Sequence, residues 1–321
     1  MDRLYADLCR FDAADWRRAI DTLASGIHEI DRNATKIWFA FYPLQLHRAL
    51  EQSTDVAATV RTLGLMGRWR LADQIDASHR FLYAHRYWPQ VKAAIAAADS
   101  WPAALPAMIT QIADAAVRTT RVDRDRLLGI TAVGLMTLRQ AGAAAMAAAP
   151  GQMNLTDAAR VRSPHQVLQR RAKDDWQGLF GFMRGNHKLW TVAFDEGDPD
   201  ATFQVINGQE ITGGAQQDKR DYRSRDIRCI PNEGPIPVEC RAASCGTCWI
   251  GVLAGAEKLS PVVPNDEGRR MKVFGYSGTD GERPLIRLAC QAKAFGAVAI
   301  VIPPWNGMIG KIMGEPGSSE K

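Results

Sequence analysis

Cys240-Arg241-Ala242-Ala243-Ser244-Cys245-Gly246-Thr247-Cys248 is the stretch on which the reading of this chain turns. It spaces three thiols as C-x4-C-x2-C, and a fourth follows in Leu288-Ala289-Cys290-Gln291. Three sulfurs on one tight loop, with a fourth delivered from elsewhere in the fold, make a soft donor set. Soft thiolates suit zinc, or iron combined with sulfide. The loop fillers Ala242, Ala243, Ser244, Gly246 and Thr247 are all small. They let the backbone come close to inorganic sulfide and aim N–H groups at it, which stabilises a reduced, more negative centre.

The spacing matches the ligand pattern of a plant-type [2Fe–2S] cluster, in which each of two irons needs two thiolates beyond the shared sulfides. Structural zinc pairs C-x2–4-C knuckles. Here only Cys245 and Cys248 form such a knuckle, and Cys290 has no partner two residues away. A disulfide framework is disfavoured because the cysteines cluster in a long chain without a recognisable secretion signal. Of the two remaining cysteines, Cys229 is read as a buried inert thiol, with a stand-in ligand as the alternative. Cys9 is placed near the first helix with no role assigned.

Residues from about Leu189 to Pro303, roughly a third of the chain, resemble a plant-type [2Fe–2S] ferredoxin domain. The resemblance rests on the loop just quoted, on Arg287-Leu288-Ala289-Cys290-Gln291, on the lead-in Ile236-Pro237-Val238-Glu239, and on the closing strand Ala297-Val298-Ala299-Ile300-Val301-Ile302-Pro303. It implies a β-grasp fold and one cluster, with Cys240 and Cys245 on one iron and Cys248 and Cys290 on the other. It also implies one-electron transfer near −400 mV, the value typical of plant-type clusters, with redox proteins as donor and acceptor. Two departures stand out. Ala243 occupies a position usually held by Gly, which tolerates positive φ cheaply where Ala does not. The stretch between Cys248 and Cys290 is long; within it, 275–281 reads as an inserted surface loop.

The chain has 321 residues, 46% of them hydrophobic, which is enough for two domains. No apolar run reaches the roughly 18 residues of a bilayer span; Gly129 to Ala149 comes nearest, but Arg139 and Gln140 interrupt it and Ala and Gly dominate it. The N-terminus lacks a basic flank followed by an apolar core, so a cytoplasmic protein is expected. Of 40 Lys+Arg and 35 Asp+Glu, residues 187–321 carry 16 and 17, leaving 24 and 18 upstream. Freely diffusing ferredoxins of the resembled family are strongly acidic, and that acidity steers them onto basic partners. A near-neutral ferredoxin region points instead to a carrier held in a fixed assembly, or else simply to an unremarkable surface.

Upstream of about residue 185 the pattern is helical. Trp16, Ile20, Leu23, Ile27 and Ile30 mark one helix face, with Asp12 or Asp15 as its cap. Further helices are expected over about 54–66, 69–87, 89–99, 103–119, 123–149 and 164–184, with Pro89, Pro102 and Pro106 in first turns. Strand signals start at Leu189 with a hairpin onto Phe203-Gln204-Val205-Ile206, and continue at Trp249–Leu253 and Val298–Val301.

Other candidates are weaker. His28, His47, His79 and His85 include no pair on one helix face, and core or surface roles are expected for them. Trp190 and Trp249 are packing residues that lie near the cluster if anything does. The basic residues Arg160, Arg162, Arg170, Arg171 and Lys173 read as a solvated or docking face rather than a nucleic-acid site. No dinucleotide, Walker or nucleophile-elbow motif occurs, so electrons must arrive from another chain.

The expectation is an α+β chain: a helical adaptor domain over 1–185, a plant-type [2Fe–2S] ferredoxin domain over 186–308, and a flexible tail over 309–321. The protein is expected to be an electron-transfer subunit of a multiprotein complex rather than an enzyme. It would carry one electron on a [2Fe–2S] cluster held by Cys240, Cys245, Cys248 and Cys290, with redox protein partners, no nucleic acid and no transmembrane segment. The alternative is a redox enzyme or sensor whose activity lies in the helical domain.

Overall fold

The computed structural model describes residues 1–41, 54–55, 58, 74–153, 155–178, 187–224, 229–274, 276 and 283–303. The α+β arrangement is as expected. Helices occupy the chain from residue 2 to 170, and a mixed sheet follows, consistent with a ferredoxin-type domain. From residue 74 onward, the division between two compact units falls between Pro164 and His165.

In the first unit, α1 (Asp2–Leu8) precedes α2 (Ala13–Leu23), which opens on a reciprocal capping box. The Asp15 N–H donates to the Asp12 carboxylate at 2.8 Å, and the Asp12 N–H to Asp15 at 2.9 Å. The expected apolar face, Trp16 through Ile30, is buried, but it is not one helix. A 3₁₀ turn at Ala24–Gly26 separates α2 from α3 (Glu29–Phe41). The carbonyls freed by the break are taken up by the Arg32 guanidinium, which donates to Ala24 O at 2.8 Å and Ile27 O at 3.0 Å.

The helix expected over 69–87 is a second correction: from residue 74 the chain runs in turns, with a 3₁₀ helix at Tyr83–Tyr87. The cap of that turn arrives from 52 residues upstream. The buried Asp31 carboxylate accepts the Tyr83 N–H at 2.6 Å and the Ala84 N–H at 2.8 Å. Then follow α4 (Trp88–Ala97), α5 (Leu105–Thr120), α6 (Arg124–Ala141) and α7 (Ala143–Ala148). The single helix expected over 123–149 breaks at Gly142, whose φ of 87° suits glycine. Every residue from Leu127 to Leu138 is buried, so α6 is the central helix of its unit. Gly134 permits this: a Cβ there would lie 2.7 Å from Ile95 and 2.9 Å from Trp88. Among the described residues no helix is long and apolar enough to cross a membrane.

After α8 (Asp157–Arg160), α9 (Pro164–Arg170) stops well short of 184. Ala172 adopts a left-handed φ of 51°, and the chain then runs extended along the sheet of the second unit. Asp175 accepts the Thr191 N–H at 2.6 Å, and Gln177 exchanges hydrogen bonds with both backbone groups of Leu189. Asp174 accepts from the Ala297 N–H at 3.0 Å and from Lys258 at 2.7 Å, and Arg171 forms a two-pronged ion pair with Glu196. The basic stretch is therefore not uniformly solvated: the Arg171 side chain is turned inward.

The sheet of the second unit has the order β2-β1-β7-β4-β5. The expected hairpin joins β1 (Leu189–Ala193) to β2 (Thr202–Ile206) antiparallel, with Trp190, Val192, Phe203 and Val205 facing inward. β7 (Val298–Val301) lies parallel to β1 and antiparallel to β4 (Trp249–Ala254), and β5 (Ile286–Leu288) closes the edge. β3 (Gln209–Glu210) and β6 (Lys293–Ala294) form a separate pair, and α10 (Ile211–Ala215) packs against β2. Between β4 and β5 lie a π turn at Pro264–Gly268 and α11 (Arg269–Phe274). In the stretch read as a surface loop, Tyr276 is buried edge-on against Trp249, with ring centroids 4.8 Å apart. The other residues of 275–281 lie outside the described residues, as do His47 and the tail over 309–321.

Candidate iron–sulfur centre

The cysteine loop leaves the β-sheet core just before β4, and its backbone is wound by positive φ at three points: Arg241 at 56°, Ala243 at 56° and Gly246 at 73°. Ala243 thus does adopt the left-handed conformation that the presence of Ala in place of Gly called into question. The strain is held by burial of Ala243, 5% exposed, and by an ion pair from Arg241 to Glu233 at 2.6 Å. These left-handed residues, interleaved with the others, turn N–H groups toward one concavity, a nest suited to anions and iron–sulfur sites. Three N–H groups converge on Cys240 Sγ: Ala242 at 3.4 Å, Ser244 at 3.4 Å and Cys245 at 3.3 Å. The Thr247 N–H donates to Cys245 Sγ at 3.4 Å.

The fourth cysteine is placed by different means. Glu267, on the π turn, and Arg287, on β5, form a bidentate ion pair at 2.8 Å and 2.8 Å with both side chains at most 1% exposed. Glu267 also accepts the Leu288 N–H at 2.6 Å, and Arg287 donates to Ser260 O at 2.7 Å. The Ala289 N–H reaches Cys248 O at 3.0 Å, tying the segment carrying Cys290 to the end of the loop.

The four thiols meet as two pairs: Cys240 with Cys245, and Cys248 with Cys290, each sharing a side-chain hydrogen bond. Burial opposes ionisation of Cys240, but hydrogen bonds from the Ser244 side chain and from the Ala242 and Cys245 N–H groups outweigh it and bring its pKa down to about 6. The bond from Cys248 lowers Cys290 to about 7, aided against burial by Gln291 and the Ala243 N–H. Giving up that proton-sharing to Cys290, together with burial, pushes Cys248 well above the ordinary thiol range. Two pairs suit a binuclear centre with two thiolates per iron. Among the described residues no three His, Cys, Asp or Glu side chains gather tightly enough to hold a single metal ion. The donor chemistry fits the group as well: the four thiols are soft, two of them are predisposed to ionise, and N–H donors line the sulfurs of Cys240 and Cys245.

The other cysteines stand apart. Cys229 is buried, and its thiol donates to Pro235 O at 3.4 Å; Cys9 is exposed at the end of α1. Trp249 is buried beside Cys248, whereas the Trp190 indole donates to Asn207 at 3.0 Å.

Sequence reasoning missed one constellation. His79 and His85 were set apart because six residues do not share a helix face, but this segment is not helical, and their Nδ1 atoms lie 3.0 Å apart with both rings fully buried. His79 Nε2 faces Ile75 O at 3.1 Å, so it carries the hydrogen and donates. Neutral His79 therefore accepts at Nδ1, and His85 donates from its own Nδ1. His85 Nε2 is left as a buried acceptor with no partner among the described residues. His28 Nδ1 accepts the Ile30 N–H at 3.2 Å.

The sequence model of the 2Fe-2S iron-sulfur cluster binding domain matches residues 231–295, which contain all four cysteines of the centre. The C-terminal part is thus a ferredoxin-type domain that binds a 2Fe–2S cluster, and its class is that of an iron–sulfur electron carrier. No family model matches the N-terminal part. Comparison with curated proteins and with solved structures returns no match.

Proposed function

We propose that the chain moves one electron at a time through a single [2Fe–2S] cluster ligated by Cys240, Cys245, Cys248 and Cys290, as a fixed electron-transfer subunit of a larger redox assembly. The observation that carries this is the meeting of the four thiols as two pairs inside a nest of N–H donors. Cys240 and Cys245 would serve one iron, and Cys248 and Cys290 the other. When bound, the cluster supplies a one-electron couple, about −400 mV in plant-type centres.

The protein's part is to hold that group and set its surroundings. The N–H groups of Ala242, Ser244 and Cys245 offset negative charge on the Cys240 side. Ala243, Thr247 and Cys248 are buried and keep water from the inner side. Arg241, Ala242 and Ser244 are exposed, which leaves one edge of the loop open for electron exchange with a partner. The near-neutral charge of residues 187–321 favours a fixed partner over steered diffusion. The helical region, about 1–185, is assigned the role of adaptor, fixing the cluster within tunnelling distance of a partner's redox group.

The test is a pair of ultraviolet–visible and low-temperature EPR spectra of anaerobically purified protein, before and after dithionite. A visible band that bleaches and a rhombic spin-half signal are expected, and Cys245→Ser should abolish both. An unchanged spectrum in Cys245→Ser would refute the ligand assignment.

A further inference from the structure

Thr247 sits between two of the proposed ligands, is 4% exposed, and gives its N–H to Cys245 Sγ. Its hydroxyl is fully buried with no hydrogen-bond partner among the described residues. A hydroxyl in that situation is unfavourable unless something in the finished site receives its proton. The other hydroxyl of the loop, on Ser244, is already engaged with Cys240 and stands at the surface. Thr247 is therefore the one hydroxyl of the loop that finds no partner among the described residues, while it walls the inner side of the centre.

We infer that the Thr247 hydroxyl donates a hydrogen bond to a sulfur of the bound cluster and raises its reduction potential. The inference rests on the cluster assignment above. A donor at a cluster sulfur stabilises the reduced state, which carries the additional negative charge, more than the oxidised one. The same contact satisfies the buried hydroxyl, so cluster loading and loop packing reinforce each other. The role is distinct from ligation: removing the hydroxyl leaves all four thiolates in place.

Thr247→Val keeps the shape of the side chain and removes the donor. It should retain the visible and EPR spectra of a [2Fe–2S] centre while the equilibrium constant for reduction falls three- to tenfold, a shift of up to about 59 mV to more negative potential for one electron. Thr247→Ala should behave alike, and Thr247→Ser should stay near wild type. Pulsed EPR of the reduced protein should show an exchangeable proton coupling in wild type and Thr247→Ser that is absent from Thr247→Val. A loaded Thr247→Val centre at the wild-type potential would overturn the inference and leave the ligand assignment standing. Failure of both Thr247→Val and Thr247→Ala to load, with Thr247→Ser loading normally, would assign the hydroxyl to cluster retention and overturn its role in potential. No [2Fe–2S] signal in the wild-type protein would overturn the assignment itself.

Discussion

Acidification should weaken the helical unit through His85. Burial is the chief cause that brings the pKa of this ring down from the ordinary 6.5 to about 4, and the Arg80 charge adds to it against the opposing pull of Asp76. Burial and the neighbouring ring push His79 in the same direction. Each pKa unit corresponds to about 1.4 kcal/mol, so the interval for His85 amounts to about 3 kcal/mol. The sign follows from which state binds the proton first. Below pH 6.5 the unfolded chain takes up a proton that the buried ring refuses, so stability is full above pH 6.5, declines as pH falls, and the contribution is gone below about pH 4. The first proton has one place to go in the folded state, the bare Nε2 of His85, because every other ring nitrogen is engaged. Among the described residues Arg80 and Asp76 are the charged groups that act on His85, and the Asp31 carboxylate caps the Tyr83–Tyr87 turn that carries it. The assay is urea unfolding followed by tryptophan fluorescence at several values between pH 7.5 and 4, for wild type and His85→Gln. Subtracting the variant removes the background of carboxylate protonation common to both. Wild type should lose about 3 kcal/mol more than His85→Gln across that interval. A difference within about 0.5 kcal/mol, the scatter of surface substitutions, would refute the reasoning. So would a ¹⁵N spectrum in which His85 carries its hydrogen on Nε2.

Two further outcomes follow from the centre itself. Glu267→Gln leaves the buried Arg287 guanidinium without its counter-charge and should destabilise the C-terminal unit by about 3–5 kcal/mol; chemical denaturation measures this, and faster cluster loss on dilution should accompany it. Ala243→Gly relieves a left-handed φ of 56° and should stabilise the loaded domain by about 1 kcal/mol, read as a rise in the thermal midpoint at which the visible band disappears; no rise would show that methyl packing outweighs the backbone strain.

What was legible in the sequence has a common physical character: it is encoded over a few residues. The C-x4-C-x2-C loop, a helix cap at Asp12 or Asp15, the hairpin from Leu189 and the buried strands at Trp249 and Val298 each rest on local spacing, so they survive in any tertiary setting. What was missed depends on partners far along the chain. The Tyr83–Tyr87 turn exists because Asp31 caps it from 52 residues away, and that turn, not a helix face, brings His79 and His85 into contact. The run after Arg170 leaves its helix because Asp174, Asp175 and Gln177 find backbone donors on the sheet. The pairing of Glu267 with Arg287, which sets the segment bearing Cys290, crosses a stretch whose spacing carries no signal of its own. The sequence by itself determined the class of centre, because four thiols at this spacing and loop length leave few alternatives. Only the tertiary structure decided how the fourth cysteine is delivered, which hydroxyl of the loop has no partner among the described residues, and which histidines are buried together, because each is a contact between segments whose separation periodicity cannot report.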